Sequence, residues 1–443
     1  MKLCGLTGEV VVPGASGYDQ ARQEWNRAID KYPCVIVYCF SQCDVANAIV
    51  WSRKHNVELR IRSGGNNYEG YSTGNGKLII DTTYMNDIAV NSEEDTVVAG
   101  AGTRLPALYE AAYRYGYAFP GGTCPSVAIG GLVLGGGIGL SARYLGLTAD
   151  NLMEASLIDA NGSQLIANAY DNPGLFWALR GAGGGNFGVT TSYKFSLRKV
   201  DKITLIQLEW HNNKPARMEF LQVWQTWLAG LDRRLSAFGG IYKQGAWLNA
   251  FFYGEPKDAE IILQPILAIP GITYHNIQYL DFIEAVKKIG AGYPDGEAFK
   301  STGRFVQRQL SPHELVKVIE IIDAAPTEAS SYISVYSLGG AIRDVPKGAT
   351  AFFYRQAEYI MGISSTWTNG EAAASHKKWV AGGFKYIYTV TAGSYINFPY
   401  AELPAYEQAY FGAGVSYLRY IKQMYDPENV FRFPQSIRLG ECG

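Results

Sequence analysis

The sequence predicts an α+β protein in which a glycine-rich α/β unit precedes a domain built on an antiparallel sheet. Three observations carry this. Up to about residue 195, short apolar runs alternate with helical patterning and turn residues. After about residue 200 the runs become longer, aromatic and β-branched, with helical stretches between them, the pattern of a sheet covered on one face by helices. The length, 443 residues, exceeds the size at which one hydrophobic core stops growing, so more than one unit is expected.

The first unit opens with an apolar run at 35–39. Ser41, with Asp44 three residues on, then caps a helical pattern through Ala46, Ile49, Val50 and His55, and a second strand ends at Arg62. Further short strands are predicted at 77–81, 96–100, 155–159 and 163–166, the last two joined across Asn161-Gly162. In the second unit, strands are expected in the runs 203–210, 238–253, 332–336 and 351–363, and helices at 218–231 and 312–322.

Composition narrows the partners. Hydrophobic residues make up 47% and charged residues 18%, and the net charge is −1, which excludes a disordered chain and a nucleic-acid binder working by counterion release. A small-molecule partner is favoured. Glycine, at 50 residues, and tyrosine, at 31, suit backbone packed close to a ligand in a pocket that stacks and hydrogen-bonds. Cys4, Cys34, Cys39, Cys43, Cys124 and Cys442 fit neither a metal site nor a dense disulfide scaffold, so no metal is expected and a reducing compartment is the simpler reading. With no apolar run long enough to cross a membrane and no basic-then-apolar leader, the expectation is a cytoplasmic protein without a membrane partner.

Three glycine clusters point to a ligand. Arg62-Ser63-Gly64-Gly65-Asn66-Asn67 follows a predicted strand, and its small residues let backbone N–H groups converge on an anion; the bland reading is a tight turn. Gly121-Gly122-Thr123-Cys124-Pro125-Ser126-Val127-Ala128-Ile129-Gly130-Gly131 continues into Gly135-Gly136-Gly137-Ile138-Gly139. Pro125 biases Cys124 toward extended backbone, so its sulfur projects from a stiff turn. Gly181 to Gly188 forms the third. Three such loops suit an extended dinucleotide better than a simple phosphate. Gly137-x-Gly139-x-x-Ala142, with Asp159 some twenty residues on, also matches a dinucleotide fingerprint, which makes a nicotinamide-dependent dehydrogenase an alternative. That fingerprint should follow a straight apolar strand, and here glycines precede it.

Taken together, RSGGNNYEGYS at 62–72, GGTCPSVAIGG at 121–131 with GGGIG at 135–139, LFWALRGAGGGNFGVTT at 175–191 and YDPENVFRFPQSI at 425–437 resemble the berberine bridge enzyme-like family of vanillyl-alcohol oxidase-type FAD proteins. The resemblance implies a PCMH-type FAD-binding domain formed by residues 1–200 and 390–443 around a central antiparallel-sheet substrate domain, 201–389. It implies cofactor contacts from Arg62, Ser63, Gly64, Gly65, Asn66, Asn67, Gly122, Cys124, Ser126, Val127, Gly130, Gly185, Gly188, Val189 and Asn397. Such families hold FAD covalently at two points, a histidine in the first loop and a cysteine in the second. The histidine falls on Asn66, so the resemblance leaves Cys124 as the only attachment point.

Catalytic positions depart too. The family histidine after Gly130-Gly131 falls on Leu132, and the tyrosine of a YxNY segment falls on Phe398, which cannot act as a base. Tyr395, Tyr400 and Tyr354 are then the candidate bases, with Arg355 lowering a phenol pKa by its charge. Val127 matches a position where valine admits dioxygen to reduced flavin. The expected activity is an FAD-dependent oxidase of a sugar-like or secondary alcohol, or of a phenolic or alkaloid-like metabolite, releasing hydrogen peroxide. The alternative is an FAD-binding protein that has lost turnover and serves a structural or interaction role.

Overall fold

The computed structural model describes residues 3–368 and 372–440; Cys442 lies outside them. Three main sheets organise the chain. The first takes the order Glu9–Val11, Val35–Tyr38, Leu78–Asp81, Leu59–Arg62, its last three strands parallel. Helix Gln42–His55 crosses between them, and its N-terminus is closed as the sequence predicts: Ser41 accepts from the Asp44 N–H while the Asp44 carboxylate accepts from the Ser41 N–H. The second sheet, Ile88–Asn91, Thr96–Gly100, Val189–Ser196, Leu152–Ile158, Gln164–Asn168, is antiparallel throughout.

Seven antiparallel strands between Lys202 and Trp367 form the third sheet. Helices Lys214–Ala229, Pro312–Asp323 and Ala373–Val390 pack on one face of it. Strand alternation assigns the faces: in Ser331–Ser337, Ile333 and Val335 are fully buried while Tyr332 and Tyr336 are half-buried on the other side.

Two predicted strands need correction. The run 238–253 is a hairpin, Leu235–Tyr242 and Gly245–Phe252, turning at Lys243-Gln244. Of the run 351–363, only Tyr359–Trp367 belongs to a strand. Residues 351–358 have the right aromatic content, but the Ala351 and Phe352 N–H groups bond the Trp177 and Arg180 carbonyls, so these donors serve the third glycine loop instead of a ladder.

The C-terminal segment returns to the first sheet. Phe431 is buried in the core cluster that also holds Val35, Val37 and Leu78, and Arg60 donates to the Arg432 carbonyl at 2.8 Å. Among the described residues no helix is long and apolar enough to cross a membrane, and no group of three or more His, Cys, Asp or Glu side chains is placed to hold a metal ion.

Candidate active site

A cavity of about 610 Å³ lies between the glycine loops and the open face of the seven-stranded sheet. Its loop wall is made by Ser63 to Tyr68, Gly122 to Cys124, Val127, Gly130, Gly131, Gly183 to Gly185 and Gly188. Gly65 (φ 69°) and Gly185 (φ 77°) adopt the left-handed backbone that glycine takes without strain. Among the described residues, the backbone N–H groups of Ser63, Gly64, Gly65, Asn66 and Asn67 find no acceptor in the chain. Five backbone donors without a protein acceptor in one tight loop are the groups an anion-binding nest needs.

Other features of the loops fit a large planar group. A Cβ on Gly64 would come within 2.7 Å of the Ala128 N, and one on Gly130 within 2.7 Å of the Ala101 carbonyl, so glycine there lets the loops close on each other. At Gly131 a Cβ would meet nothing within 4 Å, and at Gly184 only a Leu134 methyl at 3.5 Å. Both positions face the cavity. A side chain there would occupy the space a ligand needs, and the cradle therefore fits FAD.

The two loops are tied together beside Cys124. The Asn66 amide lies 2.7 Å from Ser126 Oγ; with its oxygen accepting from that hydroxyl, its nitrogen donates to the Gly64 and Ser126 carbonyls. Ser126 Oγ lies 3.2 Å from Cys124 Sγ, and Arg104 donates to the Ser126 carbonyl. Asn66 thus spends its amide on holding the cysteine loop in place. Ser126 backs Cys124 without lining the cavity.

Two other expected contacts also stand outside it. Arg62 donates to Asp81 Oδ2 at 2.5 Å behind the first loop, and Val189 points into the core of the first sheet while its neighbour Thr190 lines the cavity. Asn397 does line it, donating to the Leu132 carbonyl at 2.9 Å and the Tyr395 hydroxyl at 3.1 Å.

Behind the nest, Glu24 sits 3.6 Å from Arg62, accepts from Ser72 Oγ at 2.8 Å and receives no full counter-charge, because Arg62 is engaged by Asp81. Burial pushes its carboxyl up to about 7, from an ordinary 4.5. A carboxyl with a raised pKa binds its proton more tightly when folded, so its contribution is fully present below pH 4.5 and lost as pH rises through 7. Chemical denaturation as a function of pH should show a fall on the order of 3 kcal/mol across that window, and Glu24→Gln should flatten it.

The four candidate catalytic side chains lie outside the cavity lining. Arg355 is fully buried and pairs with both oxygens of Asp150, at 2.7 and 2.8 Å, so its charge is spent on the loop before strand Leu152–Ile158. The arginine that bears electrostatically on Tyr354 is Arg304, and burial still raises that phenol. Tyr354 stacks on Phe305 at 4.6 Å. The Tyr395 hydroxyl accepts from the Gly137 N–H at 3.1 Å, and Tyr400 packs on Phe384 at 4.4 Å. The Tyr395 hydroxyl holds structure and the Tyr400 ring packs the core; burial raises both phenols.

Other residues, which sequence reasoning did not single out, carry the sheet wall. Phe238, Trp247, Asn249, Tyr332, Tyr336, Ile360, Ser364 and Ser301 project into the cavity, joined by Tyr68, Tyr293, Phe299 and Glu297. Register explains the grouping: Tyr332 pairs with Ser364, which pairs with Ser301, and Tyr336 lies opposite both Phe238 and Ile360. Between those rows run Gly240, Ser334, Gly362 and Gly303, a row of small residues that gives the flanking side chains room. Tyr68 stacks on Phe398 at 5.2 Å.

The dinucleotide fingerprint is not built as such. Gly137 and Gly139 follow helix Ile129–Leu134 in place of a strand, and Asp159 accepts from the Asn161 and Ser163 N–H groups of its own hairpin.

Comparison with known proteins assigns the arrangement. Residues 33–168 match the family model described as FAD binding domain, and 394–438 the one described as Berberine and berberine like. The chain is 34% identical to the uncharacterized FAD-linked oxidoreductase YgaK of Bacillus subtilis, across 99% of this chain and 98% of that protein. It is 28% identical to a xylooligosaccharide oxidase of Thermothelomyces thermophilus, over 89% of this chain and 85% of that one. The solved structure of BBE-like 1 from Physcomitrella patens superposes with a TM-score of 0.93 at 29% identity, covering 98% of this chain and 97% of that chain. The glycine cradle, the antiparallel wall opposite it and these matches together place the chain in the berberine bridge enzyme-like family of FAD-linked oxidoreductases.

Proposed function

We propose that this protein is an FAD-dependent oxidase that removes hydride from the carbinol carbon of a sugar-like or secondary alcohol, or of a phenolic or alkaloid-like metabolite. The observation that carries the reading is the two-walled cavity, with unpaired backbone donors on one side and an aromatic, hydroxyl-bearing sheet face on the other. When bound, the flavin supplies the hydride acceptor and passes the electrons on to dioxygen, giving hydrogen peroxide. The nest of 63–67 would take the pyrophosphate, and Gly131 and Gly184 would admit the ring. Val127, which lines the cavity, leaves room for dioxygen. The relative named as a xylooligosaccharide oxidase supports a polyhydroxylated substrate.

The residues take three roles. Trp247, Phe238 and Tyr336 would stack on the substrate, while Asn249, Ser301 and Ser364 would bond its hydroxyls. Tyr68, which ends the first loop and lines the cavity, is raised well above 10 by its enclosure. As proton acceptor it would make turnover climb with pH without a plateau below 10. Anaerobic mixing with a panel of alcohols, sugars and phenols tests the whole reading. Bleaching by at least one, with peroxide on admitting air, is the expected result; dithionite reduction without bleaching by any would move the assignment to the second reading.

That second reading, a flavin-binding protein without turnover, is favoured by one observation: among the described lining residues there is no histidine. Cofactor attachment is a separate matter. With Asn66 committed to Ser126, Cys124 would be the single tether. Acid precipitation should leave yellow colour in the wild-type pellet and move it to the supernatant in Cys124→Ala. Colour in the wild-type supernatant would remove the tether while leaving the oxidase reading intact.

A further inference from the structure

The sheet wall ends in a carboxylate that has no ion-pair partner among the described residues. Glu297 directly precedes strand Ala298–Val306, and Glu297, Phe299 and Ser301 line the cavity at the period of two that puts alternate residues on one face. Among the described lining residues it is the one carboxylate, and there is no lysine or histidine. The two lining arginines are already engaged with Glu58: Arg60 at 2.6 Å and Arg432 at 3.9 Å. The guanidinium of Arg27 packs beside Gly296 but donates to Gln23 Oε1 at 2.6 Å and the Glu24 carbonyl at 3.2 Å. Among the described residues Glu297 is held by its backbone alone, its carbonyl accepting from the Arg27 N–H at 2.9 Å and its N–H donating to the Trp25 carbonyl at 3.3 Å.

Aromatic rings cluster on Phe299, the next residue of this strand to face the cavity. Trp25 and Phe299 meet edge to face at 5.6 Å, Tyr68 and Phe299 at 4.9 Å, and Tyr293 and Tyr332 line the same cavity. Tyr293 is tied to the cysteine loop by a 2.6 Å hydroxyl contact with Thr123. A partly enclosed carboxylate costs free energy unless a cation meets it, and ring faces attract cations and ammonium groups in particular. Burial raises the Glu297 carboxyl, as expected where no counter-charge faces it.

We infer that Glu297, with the rings clustered on Phe299, forms an ammonium-binding subsite, so that the substrate class is an alcohol or phenol carrying a protonated amine. This rests on the proposed oxidase reading and narrows its substrate. Glu297 lies four residues along the chain from Ser301, which also lines the cavity, on the order of 13 Å in extended chain, so the amine is a recognition group remote from the hydroxyl contact proposed for Ser301. Anionic substrates such as sugar acids and phosphates are disfavoured by the same charge.

The test compares tyramine with tyrosol, which have the same phenol and ethyl chain and differ in an ammonium against a hydroxyl. Binding to the flavin-loaded protein is followed by quenching of tryptophan emission, since Trp25 and Trp247 line the cavity, and by perturbation of the flavin spectrum. Tyramine is expected to bind at least about ten-fold tighter than tyrosol, the ratio of one charge-assisted contact. Glu297→Gln should abolish that preference by weakening tyramine alone, and the retained tyrosol affinity reports that the variant is folded. Glu297→Asp should keep part of the preference. Equal affinities in the wild type, or a preference surviving Glu297→Gln, would overturn the proposal. If the protein binds flavin and neutral alcohols bleach it without any tyramine preference, only the subsite fails; if no flavin is retained, the oxidase reading fails with it.

Discussion

Replacing Lys422 with methionine is expected to lower the unfolding free energy by about 3–5 kcal/mol, the cost of stranding a buried charge. Lys422 and Asp426 are one turn apart, at the end of helix Val415–Tyr425 and just beyond it, and neither is exposed. The Lys422 ammonium donates to Asp426 Oδ2 at 2.7 Å, the Asn186 carbonyl at 2.7 Å and the Phe431 carbonyl at 2.6 Å. Asp426 in turn accepts from the Val430 and Phe431 N–H groups at 2.8 Å. One ammonium therefore joins the third glycine loop, the C-terminal helix and the tail that returns to the first sheet. Burial alone would lower the Lys422 pKa, and Asp426 opposes that shift. Methionine fills the volume but leaves the carboxylate without a counter-charge and two carbonyls without a donor. Urea unfolding followed by tryptophan emission measures the loss; Asp426→Asn added to Lys422→Met should recover part of it, because an amide carries no charge to strand. A loss below about 1 kcal/mol would mean that solvent reaches the site and the pair is an ordinary surface contact.

Lys422 also illustrates what was legible in the sequence. YDPENVFRFPQSI identifies the C-terminal segment, yet its aspartate is explained by a lysine four residues earlier that no motif includes. The glycine loops were readable because each needs glycine for a local reason, whether left-handed backbone at Gly65 and Gly185 or close approach at Gly64 and Gly130. The sheet wall was not. Tyr332 and Tyr336 face the cavity through a register set by pairing with strands far away in sequence, and shifting that register by one residue would send them to the helix-covered side.

The candidate catalytic tyrosines lie outside the lining for a different reason, since none of them sits in a strand whose register could turn it. Tyr395 precedes an asparagine that does reach the cavity, but its own hydroxyl turns back to the Gly137 N–H. Sequence proximity to a motif gives no side-chain direction. Glu297 was hidden differently: it closes a stretch containing Gly290, Gly292, Pro294, Asp295 and Gly296, which reads as an exposed turn. The backbone bonds to Trp25 and Arg27 that bring it to the cavity span some 270 positions.

Replacing Gly131 with leucine should separate cofactor binding from folding. Gly131 lies in helix Ile129–Leu134, has no left-handed backbone to preserve, and a Cβ there would touch no protein atom within 4 Å. Leucine in place of glycine favours the helix by up to about 0.8 kcal/mol, so the protein without cofactor should unfold at an equal or higher denaturant concentration. The same side chain would project into the cavity that Gly131 lines and the proposed flavin ring requires, and the flavin retained on purification should drop to below about a tenth of wild type, a penalty exceeding about 1.4 kcal/mol. Gly382→Leu is the matched control. It lies in helix Ala373–Val390, away from the cavity lining, with nothing within 4 Å of its Cβ position, and it should gain helix stability without losing flavin. Full flavin in Gly131→Leu would show that the ring lies elsewhere in the cavity. Loss of flavin in both variants would trace the effect to glycine replacement in general rather than to a filled cradle.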